Sequence, residues 1–318
     1  MPARVSIVRC ATYDLSSVRE SLARALEPLQ GMGAFVRPGM QVLLKPNLLT
    51  GAPPERAVTT HPAVLRAVAE SVLAAGGKPS VGDSPSLQSL ESAAEGAGIL
   101  PVCRELGIPL ISFDHPCSVP AGDGAPYSSV VLDRAVLEAD VVINLPKLKS
   151  HCQTVLTGAV KNLFGCVTGK RKILWHLRAG DREGGARFAA QLIENVRQIR
   201  PALTVMDAVI GMEGNGPMRG DPRAVGLLLA SDDPVACDRE AADLIGWDPE
   251  GIPVLQAARF LGVGEPDLGY ITLHGEPLAG ARVPAFRRAV PVPVSFNPAK
   301  LAWGAARRKL RELLSDKN

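Results

Sequence analysis

The feature that most constrains the fold is a regular alternation of short apolar runs with helical patterns in the first half of the chain. Strands are predicted at residues 5–8, 41–44, 79–81, 109–112 and 141–143, and helices at residues 15–29, 61–75 and 87–98. Strands that alternate with helices predict an α/β fold, in which a parallel-rich sheet carries helices on both faces.

The pattern changes after residue 180, where a helix, a strand and a glycine-rich loop at residues 211–222 follow one another. We expect a smaller α/β second lobe that shares a cleft with the first. The predicted division is an N-terminal α/β domain at residues 1–185, the second lobe with its Gly-rich loop at residues 186–290, and a C-terminal extension with a basic helix at residues 291–318.

Composition excludes several classes of protein. Of the 318 residues, 35 are basic and 32 acidic, which gives a net charge of +3 and no sign of a nucleic-acid-binding face. No apolar run approaches the roughly 20 residues that span a bilayer, and the N-terminus has no secretory pattern. The six cysteines form no CxxC pair, so no zinc or iron–sulfur motif is present locally. We therefore expect a cytoplasmic protein without a transmembrane segment or a nucleic-acid partner.

Polar residues follow three of the predicted strands at the point where each strand ends. These polar ends are Lys45-Pro-Asn47, Gly82-Asp83-Ser84 and Asn144-Leu-Pro-Lys147. Ligands of open α/β sheets bind outside the carboxyl ends of the strands, so these residues are expected to converge at one edge. The alternative is that Pro, Asn, Asp and Ser are ordinary loop formers.

Residues 144–164 contain three lysines, two asparagines and one histidine but no Asp or Glu. If this segment is helical, Thr154, Gly158 and Lys161 share a face. Clustered lysines are costly to bury unless an anion or a reactive role compensates them. Because the segment is too apolar for a freely solvated loop, it predicts a cleft lined with cations that takes a small anion.

The polar residues receive the following roles. Substrate-binding residues are predicted at Lys45, Asn47, Asn144, Lys147, Lys149 and Asn162. His151 is the leading general acid/base, since imidazole titrates near about pH 6.5. Lys161 is either an anion clamp or a low-pKa catalytic lysine. Cys166 is either a reactive thiol favoured by nearby lysines or a packing residue.

Two further residues have open alternatives. His61 stands at a helix start, where it binds an anion, acts as acid/base or merely caps the helix. Asp83 orients a base, holds a metal or serves as a cap. The loop at residues 211–222 allows backbone N–H groups to approach phosphate, but it is not a GxxxxGK[ST] loop.

Motifs along most of the chain resemble the bacterial and archaeal family known as domain of unknown function 362. They are LKPN at residues 44–47, TTHP at 59–62, GDSP at 82–85, NLPKLKSH at 144–151, KNLFG at 161–165, GMEGNGP at 211–217 and SDDP at 231–234. Many relatives carry a ferredoxin-like module with two iron–sulfur clusters, so the resemblance implies redox chemistry. This chain has no cluster motif, so its electrons would come from a separate ferredoxin-type donor.

A second, more distant resemblance is to the nickel-pincer lactate racemase family. His151, Lys161 and His176 follow one another in the order that family uses for its histidines and its cofactor-anchoring lysine. The chain departs from it by lacking paired glycines beside the lysine and by having GDSP at residues 82–85 in place of a catalytic His motif. The resemblance implies nickel or another divalent metal, with His61, Asp83 and His176 as candidate ligands.

Together these features predict an enzyme that acts on a small carboxylate or phosphate substrate, by redox or proton-transfer chemistry at carbon. Two alternatives stay open. One is a metal-dependent racemase or hydrolase, of which a nickel-pincer enzyme is one form. The other is a non-catalytic binding protein for an anionic metabolite or cofactor.

Overall fold

The computed structural model describes residues 2–85, 88–168 and 185–290. The strands are β1 (Ala3–Arg9), β2 (Gln41–Pro46), β3 (Lys78–Asp83), β4 (Leu110–Ser112), β5 (Pro116–Pro120), β6 (Ser129–Asp133), β7 (Val141–Leu145), β8 (Lys147–His151), β9 (Val155–Thr157), β10 (Leu203–Glu213), β11 (Asp221–Ser231) and β12 (Ile271–Gly275). The α-helices are α1 (Leu15–Leu26), α2 (Pro62–Ala74), α3 (Leu90–Gly96), α4 (Ile99–Leu106), α5 (Arg134–Glu138), α6 (Ala159–Asn162), α7 (Ala186–Ile199), α8 (Pro234–Leu244), α9 (Pro253–Leu261) and α10 (Leu278–Ala281).

Ten of the described strands form one mixed sheet, in the order β12-β1-β11-β10-β7-β2-β3-β4, with β8 beside β10 and β9 beside β8. Strands β10, β7, β2, β3 and β4 run parallel to one another, and β11 lies antiparallel between β1 and β10. The hairpin of β5 and β6 forms a separate small sheet. The prediction of a parallel-rich α/β fold is therefore confirmed.

The sheet is buried on both faces because successive side chains of a strand point in opposite directions. In β2, Val42 and Leu44 join the core beneath α1 and α2, whereas Leu43 joins the core beneath α7, α8 and α9. The helix α2 begins at Pro62, a position where a missing N–H costs no hydrogen bond. After the helix ends, the chain changes direction at Gly76, which has a left-handed conformation with φ 80°. Helices cover both faces, as predicted.

Strands from both predicted lobes pair in the same sheet. β10 and β11 lie within residues 186–290, yet β10 pairs with β7 and β11 pairs with β1. The lobe boundaries and the C-terminal extension at residues 291–318 stay predictions, the extension lying outside the described residues. Within the described ranges, no helix combines the length and apolar character that crossing a membrane requires.

Candidate active site

The polar ends of β2, β3 and β7 lie at one edge of the sheet, because these three strands are parallel neighbours. Lys45 of β2 pairs directly with Asn144 of β7, and Asp83 is the last residue of β3. Residues 147–151 form strand β8, which extends the sheet beside β10. The lysines of β8 therefore reach the same edge by a strand. Thr154, Gly158 and Lys161 do not share one helix, because strand β9 separates Thr154 from α6.

Lys45 is paired with Asp83 inside the protein. Its Nζ lies 3.0 Å from Asp83 Oδ1 and donates to the carbonyl oxygen of Pro46 at 2.7 Å, and the lysine is fully buried. The other carboxylate oxygen of Asp83 accepts the N–H of Leu48 at 2.9 Å. Gly165 packs on this pair so closely that a Cβ atom there would collide with both Asp83 and Lys45. Asp83 therefore balances the charge of a buried lysine, a role that the sequence did not suggest.

Lys147 is paired in the same way with Asp207, from the middle of β10. Its Nζ lies 2.8 Å from Asp207 Oδ2 and 2.6 Å from the hydroxyl oxygen of Tyr13. The Tyr13 hydroxyl donates to Asp207 Oδ1 at 2.8 Å. Burial and the Asp207 charge raise the pKa of Tyr13, so the phenol stays protonated. Sequence reasoning missed both Tyr13 and Asp207, because neither stands in a motif next to the lysines.

His61 belongs to the Tyr13 cluster. Its ring stacks on the Tyr13 ring at 3.6 Å, and its backbone N–H donates to Asp207 Oδ2 at 2.9 Å. Its Nδ1 accepts the N–H of Ala63 at 3.2 Å, which caps helix α2. Burial lowers the pKa of His61 to about 4, so the ring is neutral at physiological pH. The capping alternative describes what this side chain does here.

Lys149 differs from the other two buried lysines in its partners. Its Nζ donates to Asn47 Oδ1 and to the carbonyl oxygen of Val58, both at 2.7 Å. No carboxylate among the described residues pairs with it, although its side chain is fully buried. Burial and then the charges of Lys147 and Lys161 hold the pKa of Lys149 well below its usual value.

Three asparagine side chains connect this lysine to the strand ends and to helix α6. Asn47 donates to Asn162 Oδ1 at 2.9 Å, and Asn162 donates to Asn144 Oδ1 at 2.8 Å. Asn162 also donates to the Lys45 carbonyl oxygen, and Asn144 donates to the Ala159 carbonyl oxygen, both at 3.0 Å. Because each amide is fixed by its neighbours, the oxygen of Asn47 is held towards Lys149.

Helix α6 is anchored from the opposite side by Asp238 of α8. Its carboxylate accepts the N–H groups of Ala159 at 2.6 Å and of Val160 at 3.0 Å. Burial raises the pKa of Asp238 to about 7. A Cβ atom at Gly158 would collide with this carboxylate, so the helix approaches it only with glycine there. The position of Lys161 and Asn162 therefore depends on Asp238.

The three predicted catalytic residues lie in different environments. His151 is buried, and its Nδ1 accepts the N–H groups of Gln153 at 3.0 Å and Thr154 at 3.3 Å, which places the ring proton on Nε2. Lys161 is half-buried, with Nζ 4.4 Å from the ring centre of Phe164. Cys166 is fully buried in the apolar core, which favours its packing role over a reactive thiol.

Two of the three predicted metal ligands lie in the described residues, and each has another role there. His61 caps α2 and Asp83 pairs with Lys45, whereas His176 lies outside the described residues. Nowhere in residues 2–85, 88–168 and 185–290 do three His, Cys, Asp or Glu side chains come together as a metal site. The metal site stays a prediction.

Comparison with solved structures finds a likeness to the lactate racemase apoprotein from Thermoanaerobacterium thermosaccharolyticum. The TM-score is 0.42 and the sequence identity 12%, over 64% of this chain. The matched part spans 50% of the length of that racemase chain.

Comparison with curated sequences finds a closer relative. The chain is 48% identical over 263 residues to the Thylakoid-associated protein sll1697 from Synechocystis sp. (strain ATCC 27184 / PCC 6803 / Kazusa). The match covers 83% of this chain and 81% of that protein. The family model for the domain of unknown function DUF362 matches residues 42–243, which include the strand ends, β8, α6 and Asp238. The chain therefore belongs to the DUF362 family.

Proposed function

We propose that the chain is an enzyme that binds a small carboxylate or phosphate substrate at the carboxyl edge of the sheet, beside Lys149 and Lys161. The observation that carries this proposal is a charge imbalance. Lys45, Lys147 and Lys149 are fully buried, but only the first two have an aspartate partner among the described residues.

The imbalance favours an anion because an uncompensated buried ammonium group is costly. Lys161 adds a second positive charge near Lys149, since it contributes to the lowered pKa of Lys149. A bound carboxylate or phosphate would compensate the charge that Lys149 acquires when its amine takes up a proton. It would also raise the pKa of Lys149, so that the amine becomes a better proton acceptor once the substrate is bound.

Proton transfer at a carbon beside the substrate carboxylate is the reaction that these residues support best. Lys161 holds the anion, and the low-pKa amine of Lys149 accepts the proton. The Nδ1 atom of His151 accepts two backbone N–H groups, so we assign its Nε2–H the role of donating a hydrogen bond to a substrate oxygen on which negative charge develops. A redox version of the reaction needs electrons from a separate ferredoxin-type donor, as the family resemblance implies.

Ligand-induced stabilisation tests the anion site. Phosphate, L-lactate and malonate at millimolar concentration are expected to raise the Tm of the wild-type protein, because a ligand that binds only the folded state stabilises it. Lys149→Met is expected to abolish the increase, since it removes the buried amine whose protonated form the anion compensates. Lys78→Met is the control, because Lys78 is an exposed lysine at the amino end of β3, whereas the site lies at the carboxyl ends of the strands. Equal increases in all three proteins would contradict the proposal.

A non-catalytic anion-binding protein is the second candidate, and the rigid amide network around Lys149 favours it, because binding alone needs only a preformed site. The two candidates differ in the effect of His151→Ala. An enzyme is expected to exchange deuterium from D2O into the carbon beside the ligand carboxylate, as followed by NMR, and to lose this exchange in the variant while it still binds the ligand. A wild-type protein that binds the ligand without exchange is the outcome that favours the binding protein.

The location of the chain is part of the proposal. We propose the cytoplasm as its location. The name of the relative associates that protein with thylakoids. Contact of this chain with a membrane surface from the cytoplasmic side is compatible with the proposed location and with the name of the relative.

A further inference from the structure

A polar cavity lies at the β12 end of the sheet, where the edge strand β12 and its neighbour β1 meet the end of helix α1. Its volume is about 430 Å³, within the range of roughly 300–1,000 Å³ that is usual for small-molecule sites. It is lined by Ser6, Val8, Arg24, Glu27, Pro28, His274 and Gly275. None of these residues belongs to the Lys149 site, and the motifs that carry the family resemblance do not include them.

The first indication of a ligand is the hydroxyl group of Ser6 in the wall of this cavity. Ser6 is only 1% exposed, and its Oγ has no hydrogen-bond partner in the described part of the protein. A buried hydroxyl without a partner costs about 1–3 kcal/mol, so such groups are usually satisfied by a ligand or by ordered water. His274 of β12 is the residue that pairs directly with Ser6 of β1. Two polar side chains of neighbouring strands thus lie at one point of the wall.

The second indication is a pair of opposite charges on the helical wall. Arg24 is in the last turn of α1, and Glu27 follows three residues later. In the described residues neither side chain forms an ion pair, with the other or with any third group, whereas Arg9 of β1 does pair with Glu276. Within the part of the chain that the structure describes, the cavity therefore offers one cation and one anion without an ion-pair partner to a ligand.

We propose that this cavity is a binding site for a free α-amino acid. The ligand carboxylate is bound by Arg24 and the ligand ammonium group by Glu27. Ser6 and His274 supply hydrogen bonds to polar ligand atoms, while Val8 and Pro28 contact its apolar part. A zwitterion fits better than a simple anion, because Glu27 would repel a molecule that carries only negative charge.

The test is a thermal-shift screen of the wild-type protein with each of the twenty L-amino acids at 5–10 mM. At least one is expected to raise the Tm. Its N-acetyl and its methyl-ester derivatives, which each lack one of the two charges, are expected to bind at least tenfold more weakly in a titration. If none of the twenty raises the Tm, or if both blocked forms bind as well as the free amino acid, the proposal is wrong.

Variants locate the effect. Arg24→Gln and Glu27→Gln alter exposed side chains and are expected to fold normally while weakening the amino acid at least tenfold. Arg37→Gln, which replaces an exposed arginine outside the cavity, is the matched control and is expected to bind like the wild type. Ser6→Ala is expected to weaken binding without loss of stability in the absence of ligand. Binding that survives both Arg24→Gln and Glu27→Gln would place the ligand elsewhere and overturn the proposal.

Discussion

At the scale of residues, the buried lysines differ in whether the fold brings an aspartate from a distant strand to pair with them. Lys45 finds Asp83 and Lys147 finds Asp207, each from a different strand. The segment 144–164 contains no Asp or Glu, and this is the feature from which the sequence predicts a site at its lysines. The absence of local acids, however, says nothing about acids that the fold brings from elsewhere. Of the three buried lysines, only Lys149 has no carboxylate partner among the described residues.

Gly165 is the residue whose substitution best tests the packing around these lysines. Gly165→Ala places a methyl group against the buried pair of Lys45 and Asp83, and Asp83 is held in place by the N–H groups of Leu48 and Ser84. Overpacking of this kind is expected to lower the free energy of unfolding by about 1–3 kcal/mol. Urea denaturation followed by circular dichroism measures it.

A second glycine provides the control for that substitution. Gly33 has no heavy atom within 4 Å of the position of an added Cβ, so Gly33→Ala is expected to change the free energy of unfolding little, or to raise it slightly. A loss of stability that is equal in the two variants would show that the alanine side chain, and not the lysine–aspartate pair, is responsible.

The site residues show how far sequence reasoning reaches. Lys45, Asn47 and Asn144 are predicted from polar residues that follow apolar strands, and Asn162 from the segment 144–164. The parallel sheet and helix α6 bring the four together. Tyr13 follows no such rule. It reaches Asp207 from a loop 194 positions away, and only the pairing of β1, β11 and β10 makes that approach possible.

At the scale of elements, the strands and helices with a strong apolar period were predicted well. The helix predicted at residues 61–75 is α2, Pro62–Ala74. The segment of β8 and β9 was not predicted as a hairpin, because its polar side chains are buried and so hide the apolar alternation of a strand. The predicted Gly-rich loop is also shorter than expected, because β10 continues to Glu213 and β11 begins at Asp221.

At the scale of the whole molecule, one sheet unites strands from both predicted lobes, and buried ionisable groups make its stability depend on pH in opposing ways. Burial raises the pKa of Asp238 to about 7. This group therefore lowers the free energy of unfolding as the pH rises from the usual titration range of an aspartate towards 7. Burial lowers the pKa of His61 to about 4. His61 lowers the free energy of unfolding as the pH falls, because the unfolded chain then binds a proton on this side chain that the folded chain does not.

The His61 contribution can be isolated by a variant. Between about pH 6.5 and pH 4 the unfolded state takes up a proton on His61 that the folded state excludes, so acidification costs the wild type up to about 3 kcal/mol at this residue. His61→Gln removes that dependence. The difference in free energy of unfolding between wild type and variant is therefore expected to shift in favour of the variant as the pH falls from 7 to 4.

Urea denaturation of both proteins across this range measures the difference, in which the Asp238 contribution cancels because both proteins retain it. A difference that does not change with pH would mean that His61 is protonated as readily in the folded protein as in the unfolded chain, and that its stacking on Tyr13 leaves it open to solvent.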